Sequence, residues 1–392
     1  MALRRCNLNL LPPYNIEFKN ENVFEMNENV LEFQLFSIFS FDKTKTWMKP
    51  VTLQEIADRL NISVTTVSKA LKDYPDISKK TKAMVKELAK TLNYRPNAFA
   101  VNLRTKESKT IGLIIPEIVH HFFSSVIKGI VAQAEKKGYL VIILQSNESY
   151  EMEKKQVQLL LSQGVDGILI SLANGTAEYN HLTDFMAQNK PLVMFDKIAK
   201  IVKCSKVIID DRKAAYVATQ HLIDTGCKRI AHFRGALLPQ NSIDRFLGYK
   251  KALLDNNLPY DPSLVYICEC GDKSFEEGKM NARQLLMDHK DVDGIFINTD
   301  MVAIGALTEL NEQGVRVPED ISVVGFSNWF MSSVISPSLT TIDQPGYQMG
   351  KTAFKCLHKE MKQLKNKQPV VFEKIVLETA LVKRQSTKDV AE

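Results

Sequence analysis

The sequence predicts an α/β protein: a three-helix module near the N-terminus, then two doubly wound parallel-sheet subdomains. Three observations carry that expectation. Positive charge is confined to one stretch. Residues 48–106 hold twelve Lys/Arg against five Asp/Glu, whereas residues 1–47 sum to −1 and residues 107–392 to zero, so the net +6 resides in one small module. Within that module two short helical patterns are joined by a tight turn. From Thr110 onward, apolar runs of four to six residues alternate with amphipathic stretches. Such alternation is the pattern of parallel strands covered by helices on both faces.

The first helix is read from Thr52 to Leu60. Thr52 is its N-cap, Glu55 stands at capping-box spacing, and Leu53, Ile56, Ala57 and Leu60 share a face. Asn61-Ile62 makes the turn, because Asn tolerates a left-handed backbone. Ser63 caps a second helix, Val64–Leu71, which buries Val67, Ala70 and Leu71 and shows Val64, Thr65, Thr66, Ser68 and Lys69 on its other face. Ser78 caps a third, Lys79–Leu92, whose Ala83, Val85, Leu88, Ala89 and Leu92 close the core. Two short helices joined in this way form a helix-turn-helix, whose second helix enters the DNA major groove. A concentrated basic module is the electrostatic footprint of a part that touches nucleic acid.

In the body of the chain, strands are expected at Ile111–Pro116, Leu140–Gln145, Gly167–Ile170, Leu192–Phe195 and Val207–Ile209. A second set follows at Arg229–Phe233, Val265–Cys268, Gly294–Ile297 and Ile321–Phe326. Helices fall at Phe122–Gly138, Glu151–Gln163, Ile243–Asn256, Phe275–Asp288 and Met301–Gln313. Two such domains in tandem suggest a clamshell, with a ligand crevice at the strand ends.

Composition excludes other classes. No apolar run reaches the ~18 residues of a membrane span. The six cysteines (Cys6, Cys204, Cys227, Cys268, Cys270, Cys356) contain no C-x-x-C pair and read as reduced thiols of a cytoplasmic protein. The seven histidines lack metal-ligand spacing. Walker, G-x-G-x-x-G and G-x-S-x-G motifs are absent. No cofactor, metal site or catalytic residue is expected.

The basic module closely resembles the headpiece of the LacI/GalR family of bacterial transcription regulators. The resemblance rests on four spaced segments in order: Thr52–Ala57, Ile62–Leu71, Ile77–Val85 and Asn93–Leu103. It continues through Gly164-Val165-Asp166-Gly167-Ile168, Arg245 with Gly248-Tyr249, Thr299-Asp300, Ile321–Phe326 and Pro337–Pro345 to near Gln385. It implies a periplasmic-binding-protein-like clamshell, a homodimer on a palindromic double-stranded DNA operator, a small-molecule sugar effector, and no membrane. It also implies that Tyr94, Asn97, Ala100 and Leu103 belong to a hinge helix, with Leu103 wedged between base pairs; such wedges offset unstacking with bent DNA and more contacts.

The implied DNA-binding residues are Thr52, Ser63, Val64, Thr65, Thr66, Ser68, Lys69, Tyr94, Asn97, Ala100 and Leu103. The implied effector-binding residues are Phe122, Phe123, Asp196, Asp210, Arg245, Lys273, Thr299 and Ser327. Ser327, where many members place Asp, and Lys273, where an aromatic often stacks, hint at an anionic effector. Lys69 replaces a more frequent Arg and offers a point charge in place of a planar fork.

The expected segments are a 1–47 extension, headpiece 48–95, hinge 96–108, first subdomain 109–209 with 343–370, second subdomain 210–342 with 371–385, and tail 386–392. Residues 1–47 are read either as a misassigned upstream start, with Met48 the true one, or as a disordered extension. Tetramerising members of the family it resembles add a C-terminal leucine-heptad tail; Val376–Glu392 shows no heptad, so the resemblance implies a dimer. The leading expectation is a ligand-responsive repressor. The alternatives are a solute-binding protein or sugar-modifying enzyme with a basic N-terminus, and an architectural DNA-binding protein with a vestigial core.

Overall fold

The computed structural model describes residues 51–94, 107–119, 121–269, 271 and 273–389. Residues 1–47, the Met48 start, the hinge residues Asn97, Ala100 and Leu103, and Cys6 and Cys270 lie outside them. The chain divides between Pro96 and Asn97 into two compact units.

In the first unit, α1 (Leu53–Leu60), α2 (Val64–Leu71) and α3 (Lys79–Thr91) surround a core of Ile56, Ala57, Val67, Ala70, Val85 and Ala89. All three caps form as the sequence implies. Thr52 Oγ1 accepts from Glu55 N, Ser63 Oγ from Thr66 N and Ser78 Oγ from Thr81 N, at 3.1–3.2 Å. Asn61 takes the left-handed conformation (φ 51°) that turns the chain between α1 and α2. Three details differ from expectation. The Glu55 carboxylate accepts from Arg59 (2.7 Å), its partner one turn on. Ala83 is exposed, because the α3 stripe that meets the core is Val85, Leu88, Ala89 and Leu92. Val64 is half-buried against the core at the start of α2.

The second unit holds two sheets. The first contains β1 (Thr110–Ile115), β2 (Leu140–Gln145), β3 (Ile168–Ile170), β4 (Leu192–Phe195) and β5 (Ser205–Ile209). Around them lie α4 (His121–Lys136), α5 (Tyr150–Ser162) and α6 (Asn180–Ala187). The chain then crosses to α7 (Asp211–Asp224), β6 (Ile230–Arg234), α8 (Gln240–Asp255), β7 (Val265–Ile267), α9 (Ser274–Asp288), β8 (Gly294–Ile297), α10 (Asp300–Glu312), β9 (Ser322–Ser327), α11 (Met331–Val334) and β10 (Thr340–Asp343). It returns through α12 (Gly346–Lys365) and β11 (Lys374–Leu377) and crosses again to β12 (Ala380–Val382). The sheet orders are β11-β5-β4-β3-β1-β2 and β12-β10-β9-β8-β6-β7.

Among the described residues every pairing is parallel except β12 on β10, so the second sheet carries an antiparallel edge strand that the apolar pattern did not announce. Strands buried on both faces, such as Leu192–Phe195, are uniformly apolar, as sheets sandwiched between helices require. Helix α12 packs on α4 at backbone contact. A Cβ built on Gly129 would fall 2.2 Å from the Tyr347 carbonyl, a distance only glycine permits.

Two expected boundaries are corrected. Lys374–Leu377 pairs with Lys206–Ile209 and so belongs to the first sheet, not to the second subdomain. Alternating Ile375 and Leu377 pack on that core. Ser386 and Thr387 are no tail. Ser386 N donates to the Ser338 carbonyl and its Oγ to the Val323 carbonyl, and both residues are buried.

Candidate functional site

In the first unit, Thr52, Ser63 and Thr65 lie exposed at the starts of α1 and α2, and Thr66, Ser68 and Lys69 are partly exposed on α2. The Lys69 ammonium pairs with Asp76, a residue the sequence reading passed over. That hydrogen bond raises the pKa of Lys69 and lowers that of Asp76. Tyr94 packs on the headpiece core, and burial raises its phenol pKa.

In the second unit, the C-terminal ends of strands from both sheets converge on one crevice. The crevice is open to solvent, and the atom-free space within it and at its mouth comes to about 840 Å³. From the first sheet come Glu148, Asn174, Asp196 and Lys197, with Phe122 and Phe123 at the start of α4; from the second come Gly235, Asn298, Thr299 and Ser327. Asn241 and Arg245 on α8, Trp329 after β9 and Gln344 at the crossover complete its polar and aromatic wall. Crevices at the carboxyl ends of parallel strands are where such sheets bind ligands.

Arg245 is the best-determined group. Its Nε donates to Asp211 Oδ1 (2.8 Å), its Nη1 donates to the Asn298 carbonyl (3.0 Å), and its guanidinium carbon lies 3.7 Å from the centre of the Phe326 ring. Both partners are less than a tenth exposed. Burial, reinforced by the nearby Asp196 carboxylate, pushes Asp211 up to about 6 even beside Arg245. Asp196 sits in a left-handed backbone conformation (φ 55°) just after β4 and accepts amide hydrogens from Gln344 (3.1 Å) and Asn241 (3.5 Å). Ser327 (φ 114°) and Asn328 (φ 51°) are likewise left-handed, and backbone strain of this kind concentrates at ligand sites. Asn328 is held by Asp343 (2.8 Å) and Arg384 (2.7 Å).

At the other end of the crevice, Lys197 Nζ donates to Glu148 Oε1 and Asn174 Oδ1 (2.6 Å each). Asn174 Nδ2 reaches the Glu269 carbonyl of the second subdomain (2.6 Å). Burial raises the Glu148 pKa against the pull of Lys197. Asp300 is buried at the start of α10 and accepts from Trp329 N, Ser332 Oγ and Thr341 Oγ1 at 2.6–2.7 Å, so it braces the Trp329 loop.

Of the expected effector residues, Phe122, Phe123, Asp196, Arg245, Thr299 and Ser327 line this crevice. Asp210 and Lys273 do not. Asp210 is exposed, and its carboxylate caps α7 by accepting from Lys213 N (2.9 Å). Lys273 is exposed at the start of α9. The anionic effector suggested by Lys273 therefore loses its cation. The sequence reading missed Glu148, Asn174, Lys197, Asn241, Asn298 and Gln344. Each lies in an ordinary polar loop or helix start, and only the first residues after an apolar run marked such positions.

Among the described residues no cluster of His, Cys, Asp or Glu could hold a metal ion, and no helix is long and apolar enough to cross a membrane. Cys204, Cys227, Cys268 and Cys356 are buried free thiols, and burial pushes Cys204, Cys227 and Cys356 up to about 11.

Comparison with known proteins agrees with this geometry. The family model described as periplasmic binding proteins and sugar binding domain of LacI family matches residues 108–375. The model of bacterial regulatory proteins, lacI family, matches residues 52–97. Catabolite control protein A of Priestia megaterium is 34% identical over 339 residues, covering 86% of this chain and 99% of its own. The ribose operon repressor of Halalkalibacterium halodurans is 31% identical over 337 residues, covering 86% and 97%. A crystal structure of the Lac repressor dimer bound to operator and the anti-inducer ONPF matches with a TM-score of 0.76 at 28% identity, covering 87% of this chain and 100% of that one.

Proposed function

Because the chain belongs to the LacI family of bacterial regulatory proteins, we propose that it is a cytoplasmic, homodimeric repressor that binds a palindromic operator and answers to a sugar in its crevice. The observation that carries this reading is the crevice itself. Aromatic faces (Phe122, Phe123, Trp329) stand against a wall of amides, hydroxyls and a guanidinium fork. That combination suits a sugar ring, which presents apolar C–H faces and an equatorial rim of hydroxyls.

In this reading Arg245, Asn241, Asn298 and Asp196 take the hydroxyls, while Phe122, Phe123 and Trp329 cover the ring. Ser63, Thr65, Thr66, Ser68 and Lys69 face the major groove, and Thr52 meets the backbone. Asn97, Ala100 and Leu103 form the hinge segment in the minor groove. The work is binding, not catalysis. Each charged group of the crevice is committed to a neighbouring partner: Arg245 to Asp211, Lys197 to Glu148, Asp196 to two amides, Asp300 to two hydroxyls and an amide.

The test is enrichment of DNA from a random-sequence pool by the full-length chain, then thermal-shift screening of sugars. A two-fold symmetric site and at least one stabilising sugar are expected. Failure to enrich any sequence would overturn the operator reading, and a core that no sugar stabilises would overturn the effector reading.

A further inference from the structure

We propose that Asp76 is a specificity-determining residue of the DNA-binding module: its carboxylate guards Lys69 against phosphate and leaves it free to exchange onto a base edge. The inference rests on the DNA-binding reading of α2 given above.

Lys69 stands in the last turn of α2, the helix expected in the major groove. Its ammonium pairs with Asp76 across the connection between α2 and α3, and both side chains remain about half exposed (41% and 51%). The pairing is built into the loop and is no chance meeting of two long side chains. Asp73 adopts a left-handed conformation (φ 57°), and Tyr74 N donates back to the Lys69 carbonyl (3.1 Å). Ile77 N donates to the Tyr74 carbonyl, Ile77 packs on the headpiece core, and Ser78 caps α3. Asp76 is thus held between an anchored turn and an anchored cap, within reach of Lys69. A short Asp side chain on such a tether has little freedom to move away.

The chemistry follows from what each DNA group offers. A lysine is a compact, flexible point charge that can donate to any phosphate oxygen as well as to guanine O6 and N7. Contacts to phosphate carry no sequence information. A fixed carboxylate beside the ammonium repels the anionic phosphate but not the neutral acceptors of a base edge. It therefore weakens the sequence-independent mode more than the specific one, and discrimination arises from a repulsive element. A second pair in the same loop supplies the control. Asp73 receives the ammonium of Lys86, a residue of α3 and not of the recognition helix, at 2.6–2.7 Å. Asp73→Asn changes the net charge of the module by the same amount, and asparagine tolerates the left-handed backbone there.

The experiment uses the full-length chain and two DNAs: an operator enriched from random sequence by the unmodified protein, and a scrambled duplex of equal length. Both affinities are measured across a salt series. For Asp76→Asn the scrambled duplex should bind more tightly, with a salt slope steeper by about 0.9, the signature of one added phosphate contact. The operator-to-scrambled ratio should fall by roughly three-fold or more, as an exposed pair can supply. Asp76→Glu should retain most of the ratio, and Asp73→Asn should leave it unchanged. An Asp76→Asn ratio equal to that of Asp73→Asn would reduce the effect to net charge and overturn the proposal. A ratio that falls only through loss of operator affinity would also overturn it, because Asp76 would then be positioning Lys69 or touching DNA itself. If the unmodified protein enriches no operator, the DNA-binding reading fails instead, and the two failures are distinguishable.

Discussion

Replacing Arg245 by Met tests the organisation of the crevice from its centre. The substitution keeps much of the side-chain volume but removes the cation from Asp211, 2.8 Å away and almost fully buried. Removing one partner of a buried ion pair costs about 3–5 kcal/mol, because the other charge is left without compensation. The loss depends on pH, and its sign is fixed by Asp211. That carboxyl already lies at about 6 in the folded protein, above its usual range near 3.9, so the folded state holds a proton that the unfolded state releases. Its contribution to stability is therefore present at low pH and fades as pH rises through the folded pKa.

Without Arg245 that pKa rises further, and each added unit is worth about 1.4 kcal/mol. For a rise of about two units the deficit of Arg245→Met relative to the unmodified chain should shrink by roughly 2.7 kcal/mol between pH 8.5 and pH 5. Urea unfolding at both pH values measures it. Arg245→Met with Asp211→Asn should recover most of the stability at pH 8.5, because no buried charge then stands alone. An Arg245→Met deficit that does not vary with pH, or a double variant no better than the single, would refute the reasoning. In the recovered double variant, sugar response should still be absent; a retained response would remove Arg245 from the effector contacts.

Other expectations follow from the same geometry. Ser63→Ala removes the cap of α2, should cost about 1 kcal/mol of headpiece stability by thermal unfolding, and should weaken operator binding with it. Lys69→Ala should relax preference at one base-pair position by about 1–3 kcal/mol in a binding titration against single-base operator variants, whereas equal losses on all sequences would make Lys69 a phosphate contact. Leu103→Ala should lower operator affinity and DNA bending while sugar binding stays intact. Gly248→Ala would set a Cβ 2.2 Å from the Arg212 carbonyl between α7 and α8 and should lower the urea midpoint by the equivalent of about 1–3 kcal/mol.

The sequence made the headpiece legible almost to the residue, because capping residues and a left-handed Asn announce helix ends through local chemistry alone. The nine strands expected in the body were likewise legible: inner strands such as Leu192–Phe195 and Gly294–Ile297 are buried along their whole length and uniformly apolar, and even the partly exposed Leu140–Gln145 keeps a continuous apolar run. What escaped were elements whose order depends on tertiary pairing. Lys374–Leu377 alternates and is half-exposed, and nothing local assigns it to β5, some 165 residues earlier in the chain. Helices α6, α7 and α12 also went unread. Within the crevice, Arg245 and Asp196 were named from family resemblance. Asn174, Lys197 and Gln344 were not, because a polar residue after a strand looks the same whether it faces a ligand or water. Asp210 and Lys273 erred in the opposite direction: each stands at a helix start and turns to solvent or to a cap.

The central claim is that the crevice and the DNA-binding module share one equilibrium. A sugar can shift that equilibrium only by its differential affinity for the two states, and linkage requires operator to change sugar affinity by the same factor by which sugar changes operator affinity. The decisive measurement is calorimetric titration of a stabilising sugar into the full-length protein, with and without its enriched operator, at one fixed salt concentration because phosphate contacts make DNA affinity steeply salt-dependent. Coupling of about 1–3 kcal/mol, a five- to 150-fold change in sugar affinity, is the expected result. Identical affinities in both titrations would show a DNA binder with a passive core and would contradict the account.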